Sequence, residues 1–245
     1  MFFKKPLYPS EYKDVFHLAP IPVYMKMFDD HDLHDRVFNL GYETLSQEQR
    51  QMGQELPERY DSERHSNYEV NYHREEQWVE GDEDSPIGSR YFTPPNDFLM
   101  TNDPDVTEIV SRIRKGFIEV SQPLGNDTLS CKITESWMQF YEPTLGRGHN
   151  AHNHCRWTRD EGQTNYMFSG GYYLSDGDPI KDHPYSGVFT FHIRGHQYFI
   201  RPKKGMLIIW PYDIVHSVKP FYGKTPRAVI NFNIRSTEIK KNNLL

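Results

Sequence analysis

The sequence of 245 residues predicts a mainly β protein with a double-stranded β-helix, a form of the jelly roll, and α-helices flanking it on the N-terminal side. Three observations support this prediction. Seven or eight short strand-like runs occupy about 105 residues after position 129, turn residues separate them, and a strongly periodic helix precedes them. We expect one structural unit, with an N-terminal extension over 1–128 and the β-core over 129–238.

The N-terminal extension begins with an apolar segment over 15–28 that is interrupted by prolines and favours an extended chain laid on the core. Residues 29–51 are predicted to be helical, with Asp29 and Asp30 at the positive end of the helix dipole. The stretch 53–97 is the most polar part of the sequence. It predicts a surface insertion, either a lid over the core or a partly disordered loop.

A second helix is predicted over 103–120, because apolar residues recur on one face with the helical period. Asp103 suits the N-cap, and Pro104 suits the first turn. The apolar face is expected to pack against a sheet and consists of Val106, Ile109, Val110, Ile113, Phe117 and Val120.

From residue 129 onward the pattern is typical of short β-strands. An aromatic run at 133–141 begins the core, and further runs follow at 166–174, 187–193, 196–202, 205–210, 216–220 and 227–234. The turns between them are predicted by the pairs Asp176-Gly177, Arg194-Gly195, Lys204-Gly205 and Tyr222-Gly223.

Composition and charge disfavour several classes of protein. The 28 Lys and Arg residues against 34 Asp and Glu residues give a net charge of −6, which is not typical of a nucleic-acid-binding protein. No apolar run approaches the length of a transmembrane helix, and the first residues lack the apolar region of a signal peptide. With 2 cysteines, we expect a soluble, cytoplasmic, reduced protein. No oligomeric state follows from these features.

Histidines are concentrated between residues 148 and 154. On one strand, His152 and His154 would point to the same face, about 6.6 Å apart along the chain, so both imidazoles would approach one metal ion. His216, from a distant strand, would complete one face of the coordination sphere and leave three positions open, as in non-haem Fe(II) oxygenases. Such sites usually hold two histidines and one carboxylate, and His154 stands at the carboxylate position. Alternatively, His154 lies beside the metal and faces the substrate.

Arg227 follows His216 by eleven residues. We expect a hairpin of two adjacent antiparallel strands to bring both residues to one pocket. The planar guanidinium of an arginine matches a carboxylate. A metal ion beside a buried arginine favours a small dicarboxylate co-substrate that chelates iron at one end.

Several motifs occur in a fixed order over about residues 129–236. They are His152-Asn153-His154, Ser169-Gly170-Gly171-Tyr172-Tyr173-Leu174, Gly205-Met206-Leu207, His216-Ser217-Val218-Lys219-Pro220 and Arg227 followed by Phe232-Asn233. In this ordered set the sequence resembles the 2-oxoglutarate/Fe(II)-dependent oxygenases, most closely a group from marine bacteria and phages. Prolyl hydroxylases of that superfamily share part of the pattern, including tyrosines at the places of Tyr141 and Tyr173.

The resemblance implies a site for Fe(II), 2-oxoglutarate and O₂. It assigns the metal to His152, His154 and His216, and the co-substrate to Arg227, Tyr141 and Tyr173, although aromatic strand residues are more often part of the core. It implies that 2-oxoglutarate is converted to succinate and CO₂ while a C–H bond of a peptidyl residue or small molecule is hydroxylated. One further departure from the family pattern is Val229, which stands where many members have serine.

Two other functions stay open at this point. A cupin-like enzyme would use the three histidines for a metal without 2-oxoglutarate, but Arg227 would then lack a dicarboxylate partner. A non-catalytic jelly roll would bind a protein or a sugar, but the metal-like spacing of the histidines disfavours it. Bound iron and succinate formation that depends on 2-oxoglutarate would separate all three.

Overall fold

A computed structural model describes residues 15–18, 21–51, 90–92, 98–122, 130–141, 143, 147–154 and 167–237. Within these residues the chain is mainly β and forms two antiparallel sheets that enclose a common interior, with α-helices on the outer face of the larger sheet. The predicted fold class, a double-stranded β-helix with flanking helices, is confirmed.

The described elements follow one another in the order β1 (Val15–Leu18), β2 (Ile21–Met27), α1 (His31–Gln51), β3 (Arg90–Phe92), a 3-10 helix (Phe98–Met100), α2 (Pro104–Ser121), β4 (Cys131–Tyr141), β5 (Arg147–His152), β6 (Met167–Ser175), β7 (Phe189–Ile193), β8 (His196–Ile200), β9 (Met206–Pro211), β10 (Val215–Phe221) and β11 (Arg227–Ser236). The larger sheet has the strand order β1-β2-β9-β6-β11-β4-β3, and the smaller sheet has the order β5-β10-β7-β8. In the described part of the chain, no helix combines the length and apolarity needed to cross a bilayer.

Most of the predicted elements are present. Both predicted helices form, and a strand occupies each run predicted after residue 129. The polar stretch 53–97 contributes β3, which pairs with β4. The rest of that stretch lies outside the described residues, so its role as a lid or loop stays a prediction.

The middle of the larger sheet is covered on both faces, which explains why β9 carries no polar residue. On β9, Leu207 and Ile209 pack with the helices, whereas Ile208 and Trp210 face the interior between the two sheets. The same alternation on β6 places Tyr172 behind the sheet and Tyr173 in front of it. Along β6 and β9, alternate residues therefore face the interior between the sheets.

Helix α2 begins as the sequence predicts. The side chain of Asp103 accepts hydrogen bonds from the backbone nitrogens of Asp105 at 2.8 Å and Val106 at 3.1 Å. The apolar face lies against β2 and β9, and its fully buried members include Ile109, Ile113 and Phe117.

A buried polar cluster joins α1, α2 and β6 behind the larger sheet. Nε2 of His34 lies 2.9 Å from the hydroxyl oxygen of Tyr172, and Nη1 of Arg112 donates to that oxygen at 3.0 Å. Burial, and then the positive charge of Arg112, lower the pKa of His34 from 6.5 to about 4. Burial raises the pKa of Tyr172 to about 12, although Arg112 opposes the rise.

The pKa of His34 predicts a loss of stability in mild acid. Below pH 6.5 the unfolded chain takes up a proton at this position, whereas the folded chain stays neutral until about pH 4. The free energy of unfolding should therefore fall by about 2 kcal/mol between pH 7 and pH 5 from this residue. Urea unfolding of the metal-free protein should show a shallower decline for His34→Gln than for the exposed control His31→Gln. Equal declines would contradict the assignment.

Candidate metal centre

Three imidazoles meet at one end of the interior between the sheets. His152 on β5 and His216 on β10 are direct partners across the antiparallel pair, where Cβ atoms are about 5 Å apart, and their ring centroids are separated by 4.3 Å. The ring of His154 lies 5.4 Å from that of His152 and 5.1 Å from that of His216. One ligand atom from each of the three residues lies within 4.8 Å of the others, a spacing that suits a shared metal ion.

His154 reaches this cluster from outside the strand, in contrast to the prediction. Strand β5 ends at His152, and the backbone nitrogen of His154 donates instead to the carbonyl oxygen of Tyr212 at 3.0 Å. This bond ties the chain to the loop between β9 and β10. The imidazole of His154 is still buried and faces the other two rings.

Backbone carbonyls determine the tautomers of two of the rings. Nδ1 of His152 donates to the carbonyl oxygen of Asn150 at 2.8 Å, and Nδ1 of His216 donates to that of Ile214 at 2.9 Å. A carbonyl oxygen only accepts, so Nδ1 carries the hydrogen and the lone pair of the neutral ring is on Nε2. Metal-ligating histidines are held in this way in known metal sites.

His154 is held by side chains instead. Its Nδ1 lies 2.7 Å from Oδ1 of Asn233 and 2.8 Å from Oγ of Ser169. Ser169 donates to the same amide oxygen at 2.8 Å, and Nδ2 of Asn233 donates to Oε2 of Glu135 at 3.0 Å. Burial raises the pKa of Glu135, and the hydrogen bond from Asn233 opposes that rise.

The electrostatics of the cluster favour a neutral ring at His216. Burial lowers the pKa of His216 well below 6.5, and repulsion from the positive forms of His152 and His154 lowers it further. The ring of His216 is therefore uncharged at neutral pH. Only an uncharged imidazole coordinates a metal ion, so this ring needs no proton release before binding.

Arg227 lies in the same interior and is only 2% exposed. Its Cζ lies 4.7 Å from the ring centroid of Tyr141 and 5.2 Å from that of Tyr173. Among the described residues, none makes a hydrogen bond of normal geometry with its three side-chain nitrogens, and none forms an ion pair with it. A buried guanidinium without a negatively charged partner is costly, so this arrangement suits an anionic ligand. Burial raises the pKa of Tyr173, and the positive charge of Arg227 opposes the rise.

A glycine lies in close contact with the side chain of Arg227. Gly187 has a φ of +61°, and a Cβ atom there would lie 3.2 Å from Nη1 of Arg227. A larger residue would press on the guanidinium from the side of the smaller sheet.

The expected hairpin between His216 and Arg227 is not formed. Strand β10 belongs to the smaller sheet and β11 to the larger one, so the chain crosses from one sheet to the other between Phe221 and Arg227. The two residues share a pocket because the sheets face each other. His216 and Arg227 do line one pocket, as the sequence predicts. The hairpin that was predicted to bring them together is absent, because their strands belong to different sheets.

One pocket contains every residue that the sequence predicted for the site. They are Tyr141, His152, His154, Tyr173, His216 and Arg227. Val229, noted as a departure from the family pattern, lines it as well. The structure thus brings these side chains together, while their roles as ligands stay predictions.

Sequence analysis gave no role to a polar series in this pocket. Asn231 donates to Oε1 of Gln139 at 3.1 Å, and Nε2 of Gln139 lies 3.2 Å from Nδ1 of His149. The ring of His149 stacks on that of His152 at 4.2 Å. The signal was present on β11, where Asn231 and Asn233 occupy the same face as Arg227 within a run, 228–234, that is otherwise apolar.

Comparisons with known proteins support the fold of the chain. No protein-family model matches the chain, and no curated protein is significantly similar to it in sequence. Among solved structures, a prolyl-4-hydroxylase from Pseudomonas putida is similar, with a TM-score of 0.50 and 16% identity over 90% of this chain and 96% of that one. The chain has the fold of a prolyl hydroxylase.

A second structure with this fold is AviO1 from Streptomyces viridochromogenes. Its TM-score is 0.52, and 13% of residues are identical over 89% of this chain and 91% of that one. The resemblance to the oxygenase superfamily is thus confirmed at the level of the fold. The closer similarity to proteins of marine bacteria and phages stays a prediction.

Proposed function

We propose that this chain is a 2-oxoglutarate- and Fe(II)-dependent oxygenase that hydroxylates a C–H bond of a peptidyl residue or a small molecule. The observation that carries the proposal is the pairing of two features in one pocket. Three imidazoles converge at one place, and a buried guanidinium without an acceptor in the described chain lies in the same pocket.

The donor set fits Fe(II). His152, His154 and His216 would hold the metal through three nitrogens and leave positions open for further ligands, and imidazole is a suitable ligand for iron. The hydrogen bonds to their Nδ1 atoms fix the rings before metal arrives. This reduces the ordering cost of binding, because the side chains already occupy their places.

The lining of the pocket also suits the chemistry of 2-oxoglutarate, which has a carboxylate at each end. Arg227 would form a charge-assisted fork with the distal carboxylate, and the buried tyrosines Tyr141 and Tyr173 would flank it. Val229 offers no hydroxyl at the place where related enzymes have serine, so the guanidinium would carry more of the recognition.

When bound, Fe(II) with O₂ and 2-oxoglutarate supplies the oxidation of a C–H bond, and succinate and CO₂ are released. The chain's own residues orient the reactants and exclude water. The aromatic side chains of Phe189 and Trp210 line the pocket against His216 and provide an apolar wall for that purpose.

A cupin-like metal enzyme is the second candidate, since all three predicted ligands are histidines. In such a site, however, nothing would neutralise Arg227, whose burial without an acceptor in the described chain favours the first candidate. A non-catalytic jelly roll would not require three histidine rings whose orientation is fixed by hydrogen bonds at Nδ1.

The proposal predicts two measurable properties of the purified protein. The metal-free chain should bind close to one Fe(II) per chain under anaerobic conditions, and the iron-loaded chain should form succinate from 2-oxoglutarate only in the presence of O₂. Iron binding without any binding of 2-oxoglutarate would favour the cupin-like enzyme. Absence of iron binding would leave the non-catalytic jelly roll.

A further inference from the structure

Glu135 is connected to the histidine cluster through a single side chain. It lies on β4 opposite Asn233 of β11, and its Oε2 accepts from Nδ2 of Asn233 at 3.0 Å. The other end of that amide lies 2.7 Å from Nδ1 of His154. Carboxylate, amide and imidazole thus form a continuous series that ends at the predicted metal.

The series has one consistent arrangement of hydrogens. An ionised carboxylate only accepts, so the nitrogen of the Asn233 amide must face Glu135 and its oxygen must face His154. Ser169 donates to the same oxygen and strengthens this orientation. Nδ1 of His154 therefore carries the hydrogen, and the lone pair of the neutral ring is on Nε2. His152 and His216 reach the same tautomer through backbone carbonyls, whereas His154 depends on side chains.

The negative charge of Glu135 is the second feature of this series. Three neutral imidazoles bring no negative charge to a divalent ion, whereas a set with one carboxylate does. Glu135 is partly buried and, among the described residues, forms no ion pair with a lysine or arginine, so its charge is not already neutralised within the described chain. Partial burial of a carboxylate without a cationic partner costs free energy, and a role for Glu135 at the metal site would account for that cost.

We propose that Glu135 is a positioning residue for His154, acting through Asn233. It fixes the tautomer that presents Nε2 to the metal, and it supplies from behind the ligand the negative charge that a carboxylate ligand would otherwise provide. This inference rests on the proposed function, because it takes His154 to be a metal ligand. Groups behind metal ligands typically change metal affinity by about 10–100-fold.

The test separates orientation from charge with two substitutions. In Glu135→Gln the new amide oxygen still accepts from Asn233, so only the charge is lost, and Fe(II) should bind about 10-fold more weakly. In Glu135→Leu both orientation and charge are lost, and the affinity should fall by about 100-fold. Asp178→Asn removes one negative charge from an exposed residue and serves as the matched control. Anaerobic calorimetric titration with Fe(II) alone gives the affinities, and circular dichroism monitors the fold.

A rescue variant and a metal-free measurement distinguish this role from a purely structural one. The double substitution Asn233→Asp with Glu135→Gln moves the carboxylate next to Nδ1 of His154 and should restore the affinity lost in Glu135→Gln. Imidazole ¹⁵N chemical shifts of the metal-free protein should show hydrogen on Nδ1 of His154 in the wild type and a mixture of tautomers in Glu135→Leu.

The possible outcomes are distinct. If the wild type binds no Fe(II), the proposed function fails. If the wild type binds Fe(II) and Glu135→Gln, Glu135→Leu and Asp178→Asn all bind it equally well, only the role of Glu135 is wrong. Weakened binding that the double substitution does not restore would also overturn that role.

Discussion

Replacing His216 by alanine is expected to lower the affinity for Fe(II) by more than about 100-fold and to abolish succinate formation. Even groups behind a ligand change metal affinity by about 10–100-fold, and this substitution removes one of three direct nitrogens. His152→Ala should behave in the same way, because the two residues face each other across β5 and β10. Anaerobic calorimetry measures the affinity, and the exposed His196→Ala serves as the control. Wild-type affinity in both variants, with the fold intact, would place the metal elsewhere.

His154 is tested separately, because it departs from the usual ligand set. His154→Ala should reduce Fe(II) affinity as strongly as His216→Ala if the three histidines act together. His154→Asp should retain the metal, since a carboxylate also suits iron. Unchanged affinity in His154→Ala would instead place this ring beside the metal, facing the substrate.

Replacing Arg227 by alanine is expected to weaken the binding of 2-oxoglutarate by about 30- to several-thousand-fold, which corresponds to about 2–5 kcal/mol. The co-substrate's distal carboxylate would remain buried without its partner. Fe(II) binding should persist, because no imidazole is changed. Arg227→Lys should recover only part of the loss, since an ammonium does not reproduce the planar fork.

The measurement is calorimetric titration of 2-oxoglutarate into the anaerobic Fe(II) protein. Arg235→Ala, on the same strand but outside the pocket lining, is the matched control. Equal affinities of wild type and Arg227→Ala would remove this residue from the co-substrate site and return Tyr141 and Tyr173 to the role of core aromatics.

Much of the β-core was predictable because its turns carry a chemical signature. Gly195 and Gly205 adopt positive φ, a conformation that glycine tolerates best, so each one marks a turn immediately before a strand. The apolar period of α2 and the N-cap at Asp103 were equally local. Such features depend on neighbours within a few residues, and a single sequence contains them.

The parts of the site that the sequence did not predict depend on contacts between segments that are distant in the chain. Glu135 and Asn233 are separated by 98 residues, and they meet only because β4 and β11 pair in one particular register, next to an irregularity after Asn233. His154 lies beyond its strand because of a bond to Tyr212, far along the chain. A shift of one residue in the pairing of β4 with β11 would turn Glu135 or Asn233 to the opposite face, and the sequence carries no local signal of register.

Two of the predicted metal ligands and the predicted anchor of the co-substrate lie on opposite sheets. His152 and His216 belong to the smaller sheet, whereas Arg227 belongs to the larger one. A dicarboxylate that binds the metal at one end and the guanidinium at the other would link the two sheets for as long as it stays bound. By mass action, a co-substrate at 100 times its dissociation constant adds about 2.7 kcal/mol to the folded state. The lifetime of such a protein in a cell would then follow the supply of the metabolite that it consumes.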